Sequence, residues 1–348
     1  TSHLACSGAN AGQAPPLTAC LATFNGRNVV SLFKPCLFFV IGCLLWAMIF
    51  SRAQAEPAVA MGGMVATVHP AATDAAVAAM KRGGNAVDAA VAAALTLGVV
   101  NGYNSGIGGG CFILIRRPDG SFAAIDGRET APLDATRQMY IRDGEPQSEL
   151  SKVGALASGT PGALAAHAVA VKEFGRLRLR DLLSSAADLA EGGFAITPAY
   201  AAAIGRTESD LKRFAGSKAV LLKADGSVPA AGETLKQADL AATYRAIARD
   251  GVGWFYRGPF AEKVDRWMAE NGGILRAEDF AKYRAVARKP IETEYRGYTI
   301  VGFPPPSSGG VHVGQILNIL ERFNLKQLHE EQPARFYHVI AEAMKLAF

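Results

Sequence analysis

An alanine-rich stretch over residues 71–100, interrupted once by Gly83-Gly84, constrains the fold of this chain most. Alanine has the highest helix propensity, so residues 71–82 are predicted to form a helix that the two glycines stop. Asn85 is a favourable N-cap for a second helix. The residues that then recur on one helical face are Val87, Val91, Leu95 and Gly98.

Two strand pairs are predicted farther along. Residues 111–117 and 121–127 flank Pro118-Asp119-Gly120, which is typical of a hairpin turn. Residues 291–295 and 298–303 flank Arg296-Gly297 in the same way. Further helices are predicted at 161–174, 180–191, 237–250, 258–271, 277–284 and 311–322. The body is therefore predicted to be α+β, without a linker or a repeat.

Composition excludes two broad classes. Hydrophobic residues make up 50% and charged residues 19% of the 348 residues, which excludes a disordered chain. Residues 56–348 carry 33 basic and 31 acidic residues. This near-neutral balance gives no electrostatic basis for binding nucleic acid, and we expect no such partner.

The apolar run at 36–50 is typical of a secretory signal. Lys34 precedes it and Ala53-Gln54-Ala55 follows it, which is the order of a charged region, an apolar core and a cleavage site. We predict a signal peptide at 31–55, cleavage after Ala55, and a periplasmic or secreted protein. The run is shorter than the ~20 residues of a spanning helix. An uncleaved membrane anchor remains the alternative.

The sequence near each end suggests that the chain is a fragment of a longer protein. The chain starts at Thr1, and its first methionine, Met48, lies inside the apolar run, so residues 1–30 are expected to be upstream or non-native sequence. A helical face from about Pro333 runs to Phe348 without a stop signal. We therefore expect a missing carboxyl-terminal part.

The cysteines give little indication of a catalytic or metal-binding site. Four cysteines lie within residues 1–55, and Cys111 is the only one in the body. Cys111 opens an apolar stretch, so a buried strand cysteine and a nucleophile both remain open. No Cys/His cluster has zinc-ligand spacing.

A glycine-rich loop, Asn104–Gly110, joins a predicted helix to a predicted strand. Dinucleotide-binding loops have the opposite order, which argues against a dinucleotide-binding protein. The loop is either a tight packing turn or the wall of a site.

Arg128 follows the predicted strand 121–127 directly. Its guanidinium could bind a substrate carboxylate with two parallel hydrogen bonds. It could equally form a salt bridge with Asp126 or Glu129.

The remaining polar motifs are read as helix caps. Thr160 is predicted to cap the helix that starts at Pro161, and Ser307 or Ser308 the helix after Pro304–Gly310. His69 lies in a loop, and His312 has no evident acidic partner. The residues alone therefore indicate a possible anion site and no convincing nucleophile.

The ordered motifs of the body nevertheless resemble those of one family, the bacterial γ-glutamyltranspeptidases, over their amino-terminal, large-subunit portion. The resemblance spans about 63 to 348. The matching stretches are Gly63–Ala66, Gly83–Val91, Gly106–Gly110, Ile125–Pro132, Ala157–Gly162, Asn271–Gly273 with Asp279, Tyr295–Tyr298 and Pro304–Gly310.

This resemblance implies an Ntn-hydrolase αββα sandwich, of which residues 56–348 supply the large-subunit part. It implies a precursor that cleaves itself before a threonine, whose hydroxyl then attacks γ-glutamyl amides such as glutathione. Water or an amino acid accepts the glutamyl group. No metal or organic cofactor is implied. Arg128 matches the arginine that binds the substrate α-carboxylate.

Two departures from the family pattern stand out. Gly127 occupies a position where relatives often carry a larger residue. No threonine of this chain matches the nucleophile, which is expected beyond Phe348 together with the small subunit. We therefore assign no catalytic residue here and expect the fragment alone to be inactive.

Two other functions stay open. A β-lactam acylase of the same superfamily that accepts glutaryl-type side chains would also use an arginine at 128. A non-catalytic binding remnant would agree with the absent nucleophile.

Overall fold

The computed structural model describes residues 59–348, of which Met64–Phe348 form one compact unit. The predicted upstream segment 1–30 and the signal peptide 31–55 lie outside the described residues. Between residues 59 and 348, no helix combines the length and apolarity needed to cross a membrane.

The unit alternates helices with short antiparallel strands. The helices are α1 (Pro70–Lys81), α2 (Ala86–Val100), α3 (Ala163–Phe174), α4 (Leu179–Gly192), α5 (Pro198–Arg206), α6 (Glu208–Leu211), α7 (Ala215–Leu221), α8 (Ala238–Asp250), α9 (Gly253–Tyr256), α10 (Pro259–Glu270), α11 (Ala277–Lys282), α12 (Ser308–Leu320), α13 (Leu325–Glu331) and α14 (Pro333–Ala347). The strands are β1 (Cys111–Arg116), β2 (Phe122–Gly127), β3 (Ile141–Arg142), β4 (Glu145–Pro146), β5 (Phe194–Ala195), β6 (Thr234–Leu235), β7 (Val286–Arg288), β8 (Ile291–Tyr295) and β9 (Tyr298–Gly302).

The predicted helix pair is confirmed as α1 and α2. Gly83, with φ +91°, ends α1 in a conformation that side chains disfavour. Asn85 caps α2 through the backbone N–H groups of Val87 and Asp88. The buried contact between the two helices is a cluster of alanines, Ala72, Ala76, Ala89 and Ala93, against which the partly buried Val65, Met80 and Leu97 pack.

Asp88 ties the start of α2 to the connection between α3 and α4. Its side chain is fully buried. Its carboxylate accepts hydrogen bonds from the backbone N–H groups of Asn85 at 2.8 Å, Arg176 at 2.9 Å and Leu177 at 3.1 Å. One carboxylate thus satisfies three donors from segments about 90 residues apart.

The strands that matter for the site form one antiparallel sheet in the order β1-β2-β7. The predicted hairpin β1–β2 is confirmed, with Cys111 paired to Gly127 and Gly120 at φ +86° in its turn. The second predicted hairpin, β8–β9, turns through Arg296 and Gly297, both with positive φ.

The core lies between this sheet and the helices. Helix α3 packs on β1 and β2, α2 packs on α3 and α4, and α4 packs on α8. The largest fully buried side chains include Leu95, Leu164, Leu182, Leu183, Tyr244 and Phe255. Helices α5–α7, α9 and α13 and strands β3–β7 have no counterpart among the elements predicted from the sequence.

Replacing Asp88 with alanine should lower the free energy of unfolding by about 3 kcal/mol, because three backbone N–H groups lose the buried carboxylate that accepts from them. Urea unfolding measures the change. Asp74→Ala, an exposed aspartate of α1, is the matched control. A loss of stability equal to that of the control would contradict this role for Asp88.

Candidate functional site

Arg128 directly follows β2, at the end of the central strand of the sheet. Its side chain is 59% exposed, and its Nε atom lies 3.4 Å from a carboxylate oxygen of Glu129. The predicted ion pair with Glu129 is therefore present. An ion pair this exposed contributes little energy and leaves the guanidinium free to exchange partners.

The backbone at Arg128 is held firmly. Asp126, whose side chain is only 6% exposed, accepts a hydrogen bond from the N–H of Arg128 at 2.9 Å. The other carboxylate oxygen accepts from Nε and an Nη of Arg288 at 3.1 and 2.8 Å. Asp126 thus pairs with Arg288 of β7, and not with the guanidinium of Arg128.

Two stacked tyrosines brace the loops around Arg128. Tyr283 donates from its hydroxyl to the carbonyl of Arg128 at 2.8 Å. Its ring stacks on Tyr256 with centroids 5.9 Å apart. The Tyr256 hydroxyl donates to the carbonyl of Pro161 and accepts from the N–H of Ala165, both at 3.1 Å.

The glycine-rich loop 104–110 packs against the same segment. A Cβ on Gly110 would lie 2.5 Å from Glu129 and 2.7 Å from the carbonyl of Gly127. Gly110 therefore packs closely, as the packing-turn interpretation predicts, whereas a Cβ on Gly106 or Gly108 would meet nothing within 4 Å. The loop also borders the Arg128–Glu129 pair.

Gly127 fills a position that has no room for a side chain. A Cβ there would lie 2.5 Å from the Cβ of Ala166 and 3.1 Å from the carbonyl of Cys111. A larger residue at 127 would require α3 to move away from the sheet.

The predicted cap by Thr160 is wrong. Helix α3 begins two residues later than Pro161, and Thr160 instead forms an antiparallel bridge with Thr130 through hydrogen bonds of 2.8 and 3.3 Å. The carbonyl of Gly109 accepts from the N–H groups of Gly162 and Ala163, both at 2.9 Å, and so replaces a side-chain cap. Ser307, in contrast, caps α12 as predicted.

The family follows from comparison with known proteins. The family model for gamma-glutamyltranspeptidase matches residues 72–348. The chain belongs to the gamma-glutamyltranspeptidase family. The expected family and its Ntn-hydrolase-like α+β fold are thereby confirmed, and the solved structures below agree.

Two curated relatives illustrate the likeness. The glutathione hydrolase proenzyme of Escherichia coli K12 is 42% identical over 88% of this chain and 56% of its own length. The acylase ACY 1 proenzyme of Pseudomonas sp. SE83 is 40% identical over 85% of this chain and 54% of its own length. The chain thus spans about half the length of the curated relatives it matches.

Solved structures give the same family. Helicobacter pylori gamma-glutamyltranspeptidase superposes with a TM-score of 0.81 at 37% identity, over 84% of this chain and 83% of that one. Gamma-glutamyltranspeptidase from Pseudomonas nitroreducens, complexed with L-DON, gives 0.76 at 33% identity, over 83% and 85% of the two chains.

Cys111 and His167 form a second polar pair in this family member. The Sγ of Cys111 lies 3.8 Å from Nε2 of His167, beside a cavity of about 410 Å³ between α2 and β1. Burial raises the pKa of Cys111 to about 11 and lowers the pKa of His167 to about 4. A protonated thiol beside a neutral imidazole is not an activated nucleophile, which favours the strand-cysteine interpretation.

The other histidines have local roles. His69 caps α1 by accepting from the N–H of Ala71, and a ring nitrogen of His312 lies 3.2 Å from the carbonyl of Ser308. Within residues 59–348, no group of three or more His, Cys, Asp or Glu side chains could hold a metal ion.

Sequence reasoning missed the residues that brace Arg128. Tyr256, Tyr283 and Arg288 lie far along the chain, and no motif links them to Arg128. Asp279 was noted only as part of a matching stretch. Its carboxylate accepts from the N–H of Leu133 at 2.7 Å and of Arg276 at 2.7 Å, and so fixes the far end of the 127–133 segment.

His167 should make the protein less stable as the pH falls from about 6.5 to 4. The folded-state pKa lies below the unfolded value, so the unfolded state binds more protons in this range, and up to about 3 kcal/mol is lost. Urea unfolding at several pH values measures the slope. His167→Gln should flatten it, whereas exposed His338→Gln should retain the wild-type profile. Equal slopes in all three proteins would contradict this assignment.

Proposed function

We propose that this chain is the large-subunit portion of a γ-glutamyltransferase and glutathione hydrolase precursor, in which Arg128 binds the α-carboxylate of the γ-glutamyl substrate. One observation carries the proposal: an exposed guanidinium stands on a backbone whose N–H and C=O are both held by buried partners. Relatives named as glutathione hydrolase proenzymes, matched over about half their length, support the activity and the two-subunit organisation.

In this proposal the guanidinium of Arg128 leaves Glu129 for the substrate carboxylate. Both partners are carboxylates, so the exchange costs little and gains a bidentate, charge-assisted contact. The anchored carboxylate then fixes the distance of the γ-amide from Arg128 at the end of β2. Positioning of this kind aligns the amide for attack.

The bond-breaking step belongs to the remainder of the precursor. A threonine hydroxyl there attacks the γ-amide carbonyl, its α-amine takes the proton, and the amine product leaves with a proton. Water or an amino acid then cleaves the γ-glutamyl ester and regenerates the threonine. This chain alone is expected to be inactive until paired with that small subunit, and the reaction as proposed needs no cofactor.

Arg128→Ala should raise KM for γ-glutamyl-p-nitroanilide by roughly 10–100-fold, because one charge-assisted pair of about 1.5–3 kcal/mol is lost. The assay uses the full-length precursor after self-cleavage. Arg206→Ala, an exposed arginine at the end of α5, is the control. An unchanged KM in Arg128→Ala would remove this residue from carboxylate binding.

A glutaryl-accepting acylase is the second candidate, favoured by the likeness to the ACY 1 proenzymes. Arg128 would hold the distal carboxylate of either donor, so the residue does not separate the two activities. The ratio of kcat/KM for γ-glutamyl and glutaryl anilides does. We expect the γ-glutamyl donor to be preferred.

We also propose export to the periplasm or the medium, with a signal peptide at 31–55 and a mature large subunit that starts at Glu56. Mass spectrometry of the exported protein should find Glu56 at its amino terminus. A mature protein that retains residues 36–50 would favour the membrane-anchored alternative.

A further inference from the structure

Among residues 59–348, the carbonyl of Arg128 has one side-chain partner, which comes from a distant part of the chain. Tyr283 follows α11 and donates to this carbonyl at 2.8 Å across 155 residues of sequence. Asp126 holds the N–H of the same residue at 2.9 Å. The backbone of Arg128 is therefore fixed on both sides, while its guanidinium stays exposed.

Close packing holds the Tyr283 hydroxyl in this position. A Cβ on Gly162 would overlap the hydroxyl, so the glycine leaves the space that the phenol occupies. The ring of Tyr256 stacks on the ring of Tyr283, and the two planes are nearly parallel, at 13°. With its ring stacked and its hydroxyl enclosed, Tyr283 has little freedom to follow a displaced Arg128.

We propose that Tyr283 is a positioning residue that sets the reach of the Arg128 guanidinium and so determines selectivity for donors that carry an α-carboxylate. The inference rests on the proposed function, since it acts through Arg128. A side chain as long as arginine amplifies a small shift of its own backbone, and an anchored carboxylate tolerates little misplacement.

The hydroxyl keeps its proton under working conditions. Burial, and secondarily the charge of Asp126, raise the pKa of Tyr283 to about 12. The donor to the Arg128 carbonyl is thus present throughout the neutral and mildly alkaline range, and the selectivity it provides should not change with pH there.

The test measures kcat/KM for two donors in the self-cleaved, full-length enzyme. γ-Glutamyl-p-nitroanilide carries the α-carboxylate, and 4-aminobutanoyl-p-nitroanilide is the same donor without it. Tyr283→Phe removes only the hydroxyl. Tyr244→Phe removes a buried hydroxyl that also donates to a backbone carbonyl, that of Leu95 at 3.1 Å, away from the Arg128 segment, and is the matched control.

Tyr283→Phe should lower kcat/KM for the γ-glutamyl donor about 5-fold, because one neutral hydrogen bond is lost. We expect the change mainly in KM. The 4-aminobutanoyl donor should be unaffected. Tyr244→Phe should leave the ratio of the two donors at the wild-type value, even where its melting temperature falls. Both variants are checked for complete self-cleavage before assay.

Equal losses for both donors in Tyr283→Phe, no loss for either, or the same selective loss in Tyr244→Phe would overturn the inference. Arg128→Ala is measured alongside to separate it from the proposed function. If Arg128→Ala loses the carboxylate preference and Tyr283→Phe retains it, the inference alone fails. If Arg128→Ala also retains the preference, the proposed role of Arg128 fails and the inference fails with it.

Discussion

Gly110, Gly127 and Gly162 bring the glycine-rich loop, the end of β2 and the start of α3 into close backbone contact, and the geometry around Arg128 depends on that contact. A Cβ on any of them would meet a neighbouring backbone or side-chain atom at 2.5 Å or closer. Real Cβ atoms do not approach so closely, so a side chain at any of the three positions would push these backbone segments apart. The separation would also displace the carbonyl of Gly109, which accepts from the first N–H groups of α3.

Two carboxylates near Arg128 have opposite roles because their burial differs. Asp126 is buried and engaged by Arg288 and a backbone N–H, so removing the Arg288 side chain would leave a buried carboxylate without its cationic partner. Glu129 is exposed, and its ion pair with Arg128 is easily exchanged. The strong ion pair of Asp126 with Arg288 therefore holds the carboxylate that fixes the backbone of Arg128. The guanidinium of Arg128 itself has only the weak ion pair with Glu129. That division suits a residue that must be well placed and still free to bind an anion.

Local signals predicted much of the fold. The Gly83-Gly84 stop, the Asn85 cap, both hairpins and the Ser307 cap depend on residues within a few positions of each other, and all are confirmed. The Thr160 cap failed because a strand-like bridge to Thr130, 30 residues away, competes for the same segment. The position of Arg128 after a strand could be predicted. Its braces could not, since Tyr283 and Arg288 lie more than 150 residues farther along the chain and reach this segment only in the folded structure.

A crystal structure of the self-cleaved enzyme with bound L-glutamate tests the central claim most directly. The account predicts that the Arg128 guanidinium leaves Glu129 and contacts both α-carboxylate oxygens at about 2.8 Å, with its backbone still held by Asp126 and Tyr283. A bound glutamate whose α-carboxylate contacts a different cation, while Arg128 remains on Glu129, would contradict it.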